Sequence, residues 1–189
     1  MGNIDTSQFR NGLKVELDGQ PFVITYFQHV KPGKGGAFVR TKIKNLVNGR
    51  SVERTFRSGE KCQEANVEER TMQYLYHDGD SLVFMDTESY EQTPISEEGV
   101  GDAKQFLKEN TNVEVLFWNG KPINIDPPQF VELEVTKSDP GLKGDTSSGA
   151  TKPATLETGA EIQVPLFIKE GDILRIDTRT GEYVERKSS

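Results

Sequence analysis

Short segments in which apolar and polar residues alternate run along the chain, and turn dipeptides separate them. Alternation with a period of two is typical of β-strands that bury one face. Five turn dipeptides lie between such segments: Asp18-Gly19, Asn48-Gly49, Asp78-Gly79, Asn119-Gly120 and Thr180-Gly181. Asn-Gly and Asp-Gly tolerate the positive φ angles that two-residue hairpins require. The pattern therefore predicts an all-β protein built from hairpins.

The spacing of these strands predicts three small barrels of about sixty residues each. We place them at residues 1–63, 64–128 and 129–189. One segment has a helical pattern. It begins at Ser96, and its residues 102–109 would form about two turns. Residues 140–155 are rich in Gly, Ser, Thr and Lys and lack apolar periodicity. They predict a long loop inside the third barrel, either functional or a disordered linker.

Composition narrows the classes of protein that the chain can be. No run of about 18 apolar residues exists, so we expect no membrane contact through a spanning helix, and the N-terminus lacks a secretory signal pattern. The single cysteine, Cys62, excludes an intramolecular disulfide and a cysteine-rich zinc site and indicates a reducing cytoplasm. Because His29 and His77 lie far apart in sequence, we expect no metal and no cofactor. The chain has no Gly-x-Ser-x-Gly motif, so nothing in it indicates a hydrolase.

Charge is divided unevenly along the chain, whose net charge is −7. Residues 1–63 carry eleven Lys or Arg against five Asp or Glu, residues 64–128 carry four against fourteen, and residues 129–189 carry eight against eleven. Most of the basic excess lies between Lys31 and Lys61. This division favours contact of the first barrel with a polyanion, while the second faces basic protein or solvent. A random distribution of surface charge is the alternative.

The segment 29–44, His-Val-Lys-Pro-Gly-Lys-Gly-Gly-Ala-Phe-Val-Arg-Thr-Lys-Ile-Lys, carries the clearest chemical signal. Its Pro-Gly-Lys-Gly-Gly core predicts a turn between two strands, with Lys34 at the tip. Side chains alternate along the returning strand. One face would carry Arg40, Lys42 and Lys44, and the buried face would carry Val39, Thr41 and Ile43.

Lys34 does not fit a P-loop, since Gly35 follows it where that motif has Ser or Thr. Taken alone, a Gly-Lys-Gly turn is most simply a soluble surface turn. The adjoining basic face favours a different interpretation, in which a narrow cationic protrusion enters a confined RNA cavity.

Two separated stretches resemble the family of bacterial translation elongation factor P. The segment 29–44 is similar to the tip hairpin of that family. The C-terminal signature is matched by Gly144-Asp145-Thr146, by Lys-Pro-Ala-Thr-Leu-Glu-Thr-Gly at 152–159, by Val-Pro-Leu-Phe-Ile at 164–168, by Gly171-Asp172 and by Asp-Thr-Arg-Thr-Gly-Glu-Tyr at 177–183. The motifs occur in the family's order, and the resemblance covers essentially the whole chain.

The resemblance implies a fold and a function. The fold is an N-terminal SH3-like (KOW-type) barrel followed by two OB-fold barrels, arranged as an L that mimics tRNA. The function is to bind the ribosome between the P and E sites, orient the CCA end of the P-site tRNA through Lys34 and promote peptide bond formation at consecutive prolines. The ribosome supplies the chemistry, so the resemblance implies no enzyme activity and no catalytic residue.

The resemblance also implies sites and partners. The tRNA-binding residues are Lys31, Pro32, Gly33, Lys34, Gly35, Gly36, Arg40 and Lys42, and a lysine-modifying enzyme would act on Lys34. The residues that contact the ribosome or the mRNA are Gly144, Asp145, Thr146, Tyr183 and Arg186. The partners are both ribosomal subunits, the P-site peptidyl-tRNA and the mRNA near the E site, and we expect a monomer.

Two alternative classes of function stay open on the sequence alone. One is an OB-fold protein that binds single-stranded nucleic acid off the ribosome, in which aromatic side chains stack on bases. The aromatic residues available for this are Tyr74, Tyr76, Phe84, Phe117 and Trp118, although packing in a core explains them more simply. The other is an enzyme, which no specific motif supports. A specialised paralogue with the same architecture also fits.

Overall fold

The structure is a computed structural model that describes residues 2–141 and 149–187. Its strands form three sheets, and the helical segments are short. The predicted all-β class is therefore confirmed. Within the described residues, no helix is long and apolar enough to cross a membrane.

The first sheet has the strand order β1-β6-β2-β3-β4-β5. Its strands are β1 (Asn3–Asp5), β2 (Lys14–Leu17), β3 (Gln20–Val30), β4 (Phe38–Asn45), β5 (Ser51–Arg57) and β6 (Lys61–Glu64). A 3₁₀ turn at Thr6–Gln8 follows β1, and the Asp5 carboxylate accepts a hydrogen bond from the Ser7 amide at its start. A sheet of six strands whose buried side chains form one apolar cluster suits the barrel expected from the sequence.

The interior of the first sheet is lined by side chains from nearly every strand. They are Ile4, Phe9, Leu13, Val15, Leu17, Ile24, Val39, Ile43 and Phe56. Phe9 and Phe56 meet edge to face, with ring centroids 5.1 Å apart. Cys62 packs against this core, and its burial raises the pKa of the thiol.

The second sheet has the order β11-β10-β7-β8-β9. Its strands are β7 (Val67–Asp78), β8 (Ser81–Asp86), β9 (Gln92–Ser96), β10 (Asn112–Trp118) and β11 (Lys121–Asp126). Three of the aromatic residues singled out in the sequence are buried here, and these are Tyr74, Phe84 and Phe117. Tyr76 is exposed and Trp118 is half-buried. Core packing thus accounts for most of this aromatic set.

The helical segment after β9 is shorter than predicted. The helix α1 spans Glu97–Val100, and a 3₁₀ turn continues from Gly101 to Phe106. Ser96 caps α1 as expected, since its hydroxyl accepts a hydrogen bond from the Gly99 amide. The prediction of helix through residues 107–109 is wrong. Gly101 has φ +62°, which ends the α-helix, and the chain leaves the 3₁₀ turn at Leu107 with extended backbone angles.

The third sheet has the order β14-β13-β12-β15-β16. Its strands are β12 (Phe130–Ser138), β13 (Thr151–Leu156), β14 (Glu161–Pro165), β15 (Ile173–Asp177) and β16 (Glu182–Arg186). The core of this sheet contains Val131, Leu133, Val135, Ala154, Leu156, Ile162, Val164, Ile168, Leu174 and Ile176. Phe106, which precedes the sheet in sequence, also belongs to this core.

The predicted loop over residues 140–155 is wrong in its last part, because residues 151–155 lie in β13 and pair with β14. Lys152 interrupts the apolar alternation of this strand in the sequence. Its side chain is nevertheless buried, on the same face of β13 as Ala154 and opposite Val164 of β14, and its Nζ donates a 2.6 Å hydrogen bond to the Asp139 carbonyl. A lysine reads as polar, yet here its stem is buried and its ammonium has a partner.

Four of the five predicted turn dipeptides lie in the connections between consecutive paired strands. The fifth, Asp78-Gly79, is shifted by one residue, because Asp78 ends β7 and pairs with Ser81. In the chain as described, two compact units can be separated: Met1–Arg70 with Leu116–Asn124, and Thr71–Val115 with Ile125–Ser189. The barrel boundaries near residues 64 and 128 stay a prediction.

Candidate functional site

The hairpin of β3 and β4 carries the candidate tip. The two strands pair from Phe22 opposite Asn45 to Val30 opposite Phe38, and residues 31–37 connect them. A bulge between Ile24 and Tyr26 shifts the register midway. A long paired ladder of this kind holds the connecting loop at a fixed place beyond the sheet.

The loop itself has almost no packing. Residues 31–36 are all exposed. A Cβ added at Gly33, Gly35 or Gly36 would have no heavy atom within 4 Å. Gly35 has φ +99°, a backbone conformation that L-residues with side chains rarely adopt. Lys34 therefore stands between unencumbered glycines, as the sequence predicts, and its ammonium is free to approach a ligand.

The strand after the tip has the two faces that the alternation predicts. Val39, Thr41 and Ile43 are buried in the first core, and Thr41 also donates its hydroxyl to the Arg54 carbonyl at 2.7 Å. Arg40, Lys42 and Lys44 are exposed on the opposite face. This prediction is confirmed.

Neighbouring strands place different groups beside each of these cations. Arg40 lies opposite Gln28 and Thr55, which are neutral. Lys42 lies opposite Tyr26 and Glu53, and its Nζ is 5.8 Å from the centroid of the Tyr26 ring. The face is thus basic and partly aromatic, with one carboxylate in its centre.

Tyr26 is a member of this surface that the sequence did not reveal. Its side chain is 45% exposed and contacts Lys42. A strict period of two through β3 puts Tyr26 on the same face as the buried Ile24. The bulge between these two residues moves Tyr26 to the outer face, and a bulge has no reliable signal in a single strand. His29, at the base of the tip, is exposed and meets Phe27 edge to face at 5.8 Å.

The C-terminal candidates lie on β16. Tyr183 is half-buried and packs against the core of the third sheet. Arg186 reaches both Asp172, at 3.8 Å between Nη1 and Oδ2, and the exposed Phe167, whose ring centroid is 5.3 Å from the guanidinium carbon. Gly144, Asp145 and Thr146 lie outside the described residues.

The chemistry available at the tip is that of cations and backbone amides. Ammonium and guanidinium groups donate hydrogen bonds to phosphates and hydroxyls without reading base sequence. Across the described part of the chain, no group of three or more His, Cys, Asp or Glu side chains could hold a metal ion. The arrangement is suited to binding and orienting a polyanion.

Family models match each of the three sheets. The description "Elongation factor P (EF-P) KOW-like domain" matches residues 5–62, "Elongation factor P (EF-P) OB domain" matches residues 67–125, and "Elongation factor P, C-terminal" matches residues 131–186. Among solved structures, the chain is similar to "Eukaryotic translation initiation factor 5A from Methanococcus jannaschii", with a TM-score of 0.54 and 24% identity over 67% of this chain and 92% of that one. It also resembles "Translation initiation factor eif-5a family protein from Naegleria fowleri ATCC 30863", with a TM-score of 0.54 and 17% identity over 66% of this chain and 97% of that one.

The three elongation factor P models together define a translation factor, a class of protein that is not an enzyme. The chain is 58% identical over 183 residues to elongation factor P of Acetivibrio thermocellus, covering 97% of this chain and 99% of the relative. It is 54% identical over 180 residues to elongation factor P of Wolinella succinogenes, covering 95% and 96%. The chain belongs to the elongation factor P family, and membership implies interaction with the ribosome.

Proposed function

We propose that this protein binds the ribosome between the P and E sites, orients the CCA end of the P-site tRNA through Lys34 and promotes peptide bond formation at consecutive prolines. The single observation that carries the proposal is the tip, in which one lysine stands among glycines that leave open space around it. Family membership supports it, since the chain matches elongation factor P along nearly its whole length.

The mechanism we propose is one of orientation. The proline ring restricts φ and the approach of its amine, so a prolyl acceptor and a prolyl donor align poorly. The ribosome supplies the reacting groups, and the factor lowers the entropic part of the barrier by holding the tRNA end. A tenfold acceleration requires only about 1.4 kcal/mol. A few hydrogen bonds from Lys34 and the neighbouring amides to phosphates and 2′-hydroxyls suffice for this.

The basic face beside the tip would lie along the tRNA backbone. Lys31, Arg40 and Lys42 are exposed and project from the loop and from one side of β4. Contacts to phosphate position a protein on RNA and do not depend on sequence. This suits a factor that acts on many different tRNA and nascent chains. Pro32, Gly33, Gly35 and Gly36 complete the proposed contact by shaping the loop.

The remaining proposed contacts concern the other end of the chain and the cell. Gly144, Asp145 and Thr146 would lie near the E-site codon, and Tyr183 and Arg186 would face the small subunit. The acidic residues of 64–128 would face ribosomal protein or solvent. The protein would act as a cytoplasmic monomer, and a lysine-modifying enzyme would lengthen Lys34.

A peptide-synthesis assay with purified ribosomes tests the proposal. Lys34→Ala should abolish most of the stimulation on a message encoding three consecutive prolines and leave a message without proline unaffected. Lys61→Ala is the matched control, because it removes one exposed lysine from β6 of the same sheet, away from the tip. Full stimulation by Lys34→Ala, or an equal loss in Lys61→Ala, would contradict the proposal. A protein that only binds single-stranded nucleic acid would show no effect specific to proline.

A further inference from the structure

Residues 97–108, which we call the connector, run between two sheets of the second compact unit. They comprise α1, the following 3₁₀ turn, Leu107 and Lys108. On one side lies the part of the second sheet formed by β7 from Thr71, β8 and β9. On the other side lies the third sheet.

Polar bonds fasten the connector to β7–β9. One carboxylate oxygen of Glu97 lies 2.6 Å from His77 Nε2, at the end of β7, and 2.6 Å from Lys104 Nζ. The hydrogen bond from Lys104, followed by the charges of Lys104 and His77, lowers the pKa of the Glu97 carboxyl. The Glu97 amide donates to the Asp80 carbonyl at 2.9 Å. The start of the connector is thereby fixed to this sheet by both its main chain and its side chain.

An apolar anchor and two polar contacts fasten the other end of the connector to the third sheet. Phe106 is 6% exposed and is buried in the core of that sheet. Within the described residues, every other buried member of this core comes from residue 131 or later. The Thr158 hydroxyl donates to the Gln105 carbonyl at 2.6 Å, and Lys108 Nζ lies 3.7 Å from Glu157 Oε1.

The space beside the connector is open. A cleft of about 530 Å³ lies between the two sheets, and its walls include His77 and Leu82 on one side and Glu157 and Thr158 on the other. The sheets are therefore not packed face to face at this place. The connector runs along this cleft and links the two sheets.

We propose that Phe106 is a positioning residue that fixes the third sheet to β7–β9 as one rigid body. A change in the angle between the sheets would have to withdraw the phenyl ring from a close-packed core into water, and this opposes rotation. The polar contacts of Gln105 and Lys108 are exposed and compete with water, so they would not hold this angle without Phe106. The functional meaning rests on the proposed function. Tyr183 and Arg186 lie on the third sheet, and the connector would set where they stand relative to β7–β9.

Residual dipolar couplings of backbone amides in the full-length protein test this inference, because they report the relative orientation of two folded parts. In the unaltered chain, amides of β7–β9 and of β12–β16 should fit one common alignment tensor. In Phe106→Ala, the two sets should need separate tensors of different magnitude. Phe106→Leu should restore one tensor, because it refills most of the pocket. Ile168→Ala is the matched control, since it truncates a fully buried member of the same core outside the connector and should keep one tensor.

A single unchanged tensor in Phe106→Ala would overturn the inference, and so would separate tensors in Ile168→Ala. If Phe106→Ala unfolds the third sheet, the smaller truncation Phe106→Val decides instead: separate tensors are expected, and one tensor would overturn the inference. The double variant Thr158→Val and Lys108→Ala removes only the polar contacts and keeps Phe106, so it should retain one tensor, as should the control Thr136→Val; separate tensors in the double variant would overturn the inference. Thr136 donates its hydroxyl to the Thr155 carbonyl within the third sheet. No ribosome is used, so failure here is distinct from failure of the proline assay.

Discussion

Two single substitutions on the outer face of β4 and β5 should change ribosome binding in opposite directions. Arg40→Gln removes a cation whose cross-strand neighbours are neutral, whereas Glu53→Gln removes the carboxylate directly opposite Lys42. Both side chains belong to the exposed face, so neither change creates a cavity. If this face lies along RNA, the first change should weaken binding and the second should strengthen it.

The magnitudes follow from simple electrostatics. Loss of one phosphate contact lowers the slope of log K against log salt by about 0.9 on duplex nucleic acid. Between about 50 and 200 mM salt, the affinity of Arg40→Gln for ribosomes should therefore fall about 3.5-fold less than that of the unaltered protein. A carboxylate about 7 Å from a phosphate in water is repelled by about 0.6 kcal/mol, so Glu53→Gln should tighten binding about threefold at low salt. Screening should make this gain shrink as salt increases.

Equilibrium titration of labelled protein with ribosomes that hold P-site tRNA and have an empty E site measures both effects. The titrations are repeated at several KCl concentrations. Glu91→Gln is the matched control, because it makes the same charge change on an exposed residue that lies just before β9. Weaker binding by Glu53→Gln, or an unaltered salt slope for Arg40→Gln, would refute the orientation we propose for this face.

Three further predictions concern the tip, the connector and the first core. Gly35→Ala should impair the proline assay more than Gly36→Ala, because only Gly35 has a strongly positive φ, of +99°, while both positions have open space. Glu97→Gln should lower the urea midpoint at pH 7. The pKa of Glu97 is lower in the folded state than its ordinary value of 4.5, so ionised Glu97 stabilises the folded state at any pH above 4.5, and this stabilisation is lost as the pH falls through the folded pKa. Phe56→Ala, at 2% exposure, should cost about 3–5 kcal/mol in chemical unfolding.

Each of these expectations has an outcome that would contradict it. Equal activity of Gly35→Ala and Gly36→Ala would show that the left-handed backbone at the tip is unimportant. A stability difference for Glu97→Gln that persists unchanged at pH 3 would contradict the ion-pair explanation, with Glu98→Gln as the exposed control. A cost below about 1 kcal/mol for Phe56→Ala would show that the first core relaxes around the truncation.

The local features of the fold could be read from the sequence. The turn at Asp18-Gly19 has positive φ at both residues, as does the turn at Asn119-Gly120, and such turns depend on the turn residues themselves. The two faces of β4 were also predictable, since alternation along one strand needs no knowledge of its partners. Tip exposure followed from the glycines around Lys34. The role of Lys34 on the ribosome stays a prediction.

The features that depend on distant partners could not be read from the sequence. Strand β13 contains a buried lysine, Lys152, whose ammonium is satisfied by a carbonyl thirteen residues away in the chain. The connector has a helical composition, but nothing local shows that Phe106 enters the core of the third sheet. Tyr26 reaches the outer face only because of a bulge. In each case the deciding interaction lies outside the window in which a sequence pattern is visible.

The emptiness around the tip has an evolutionary consequence. A side chain added at Gly33 or Gly36 meets no heavy atom within 4 Å, so the free energy of folding is nearly indifferent to it, whereas the backbone angle of Gly35, φ +99°, still favours glycine. Relatives can therefore carry different residues beside the apex while the barrel beneath remains the same. Under the proposed function, selection at these positions acts on what the apex would touch in another molecule.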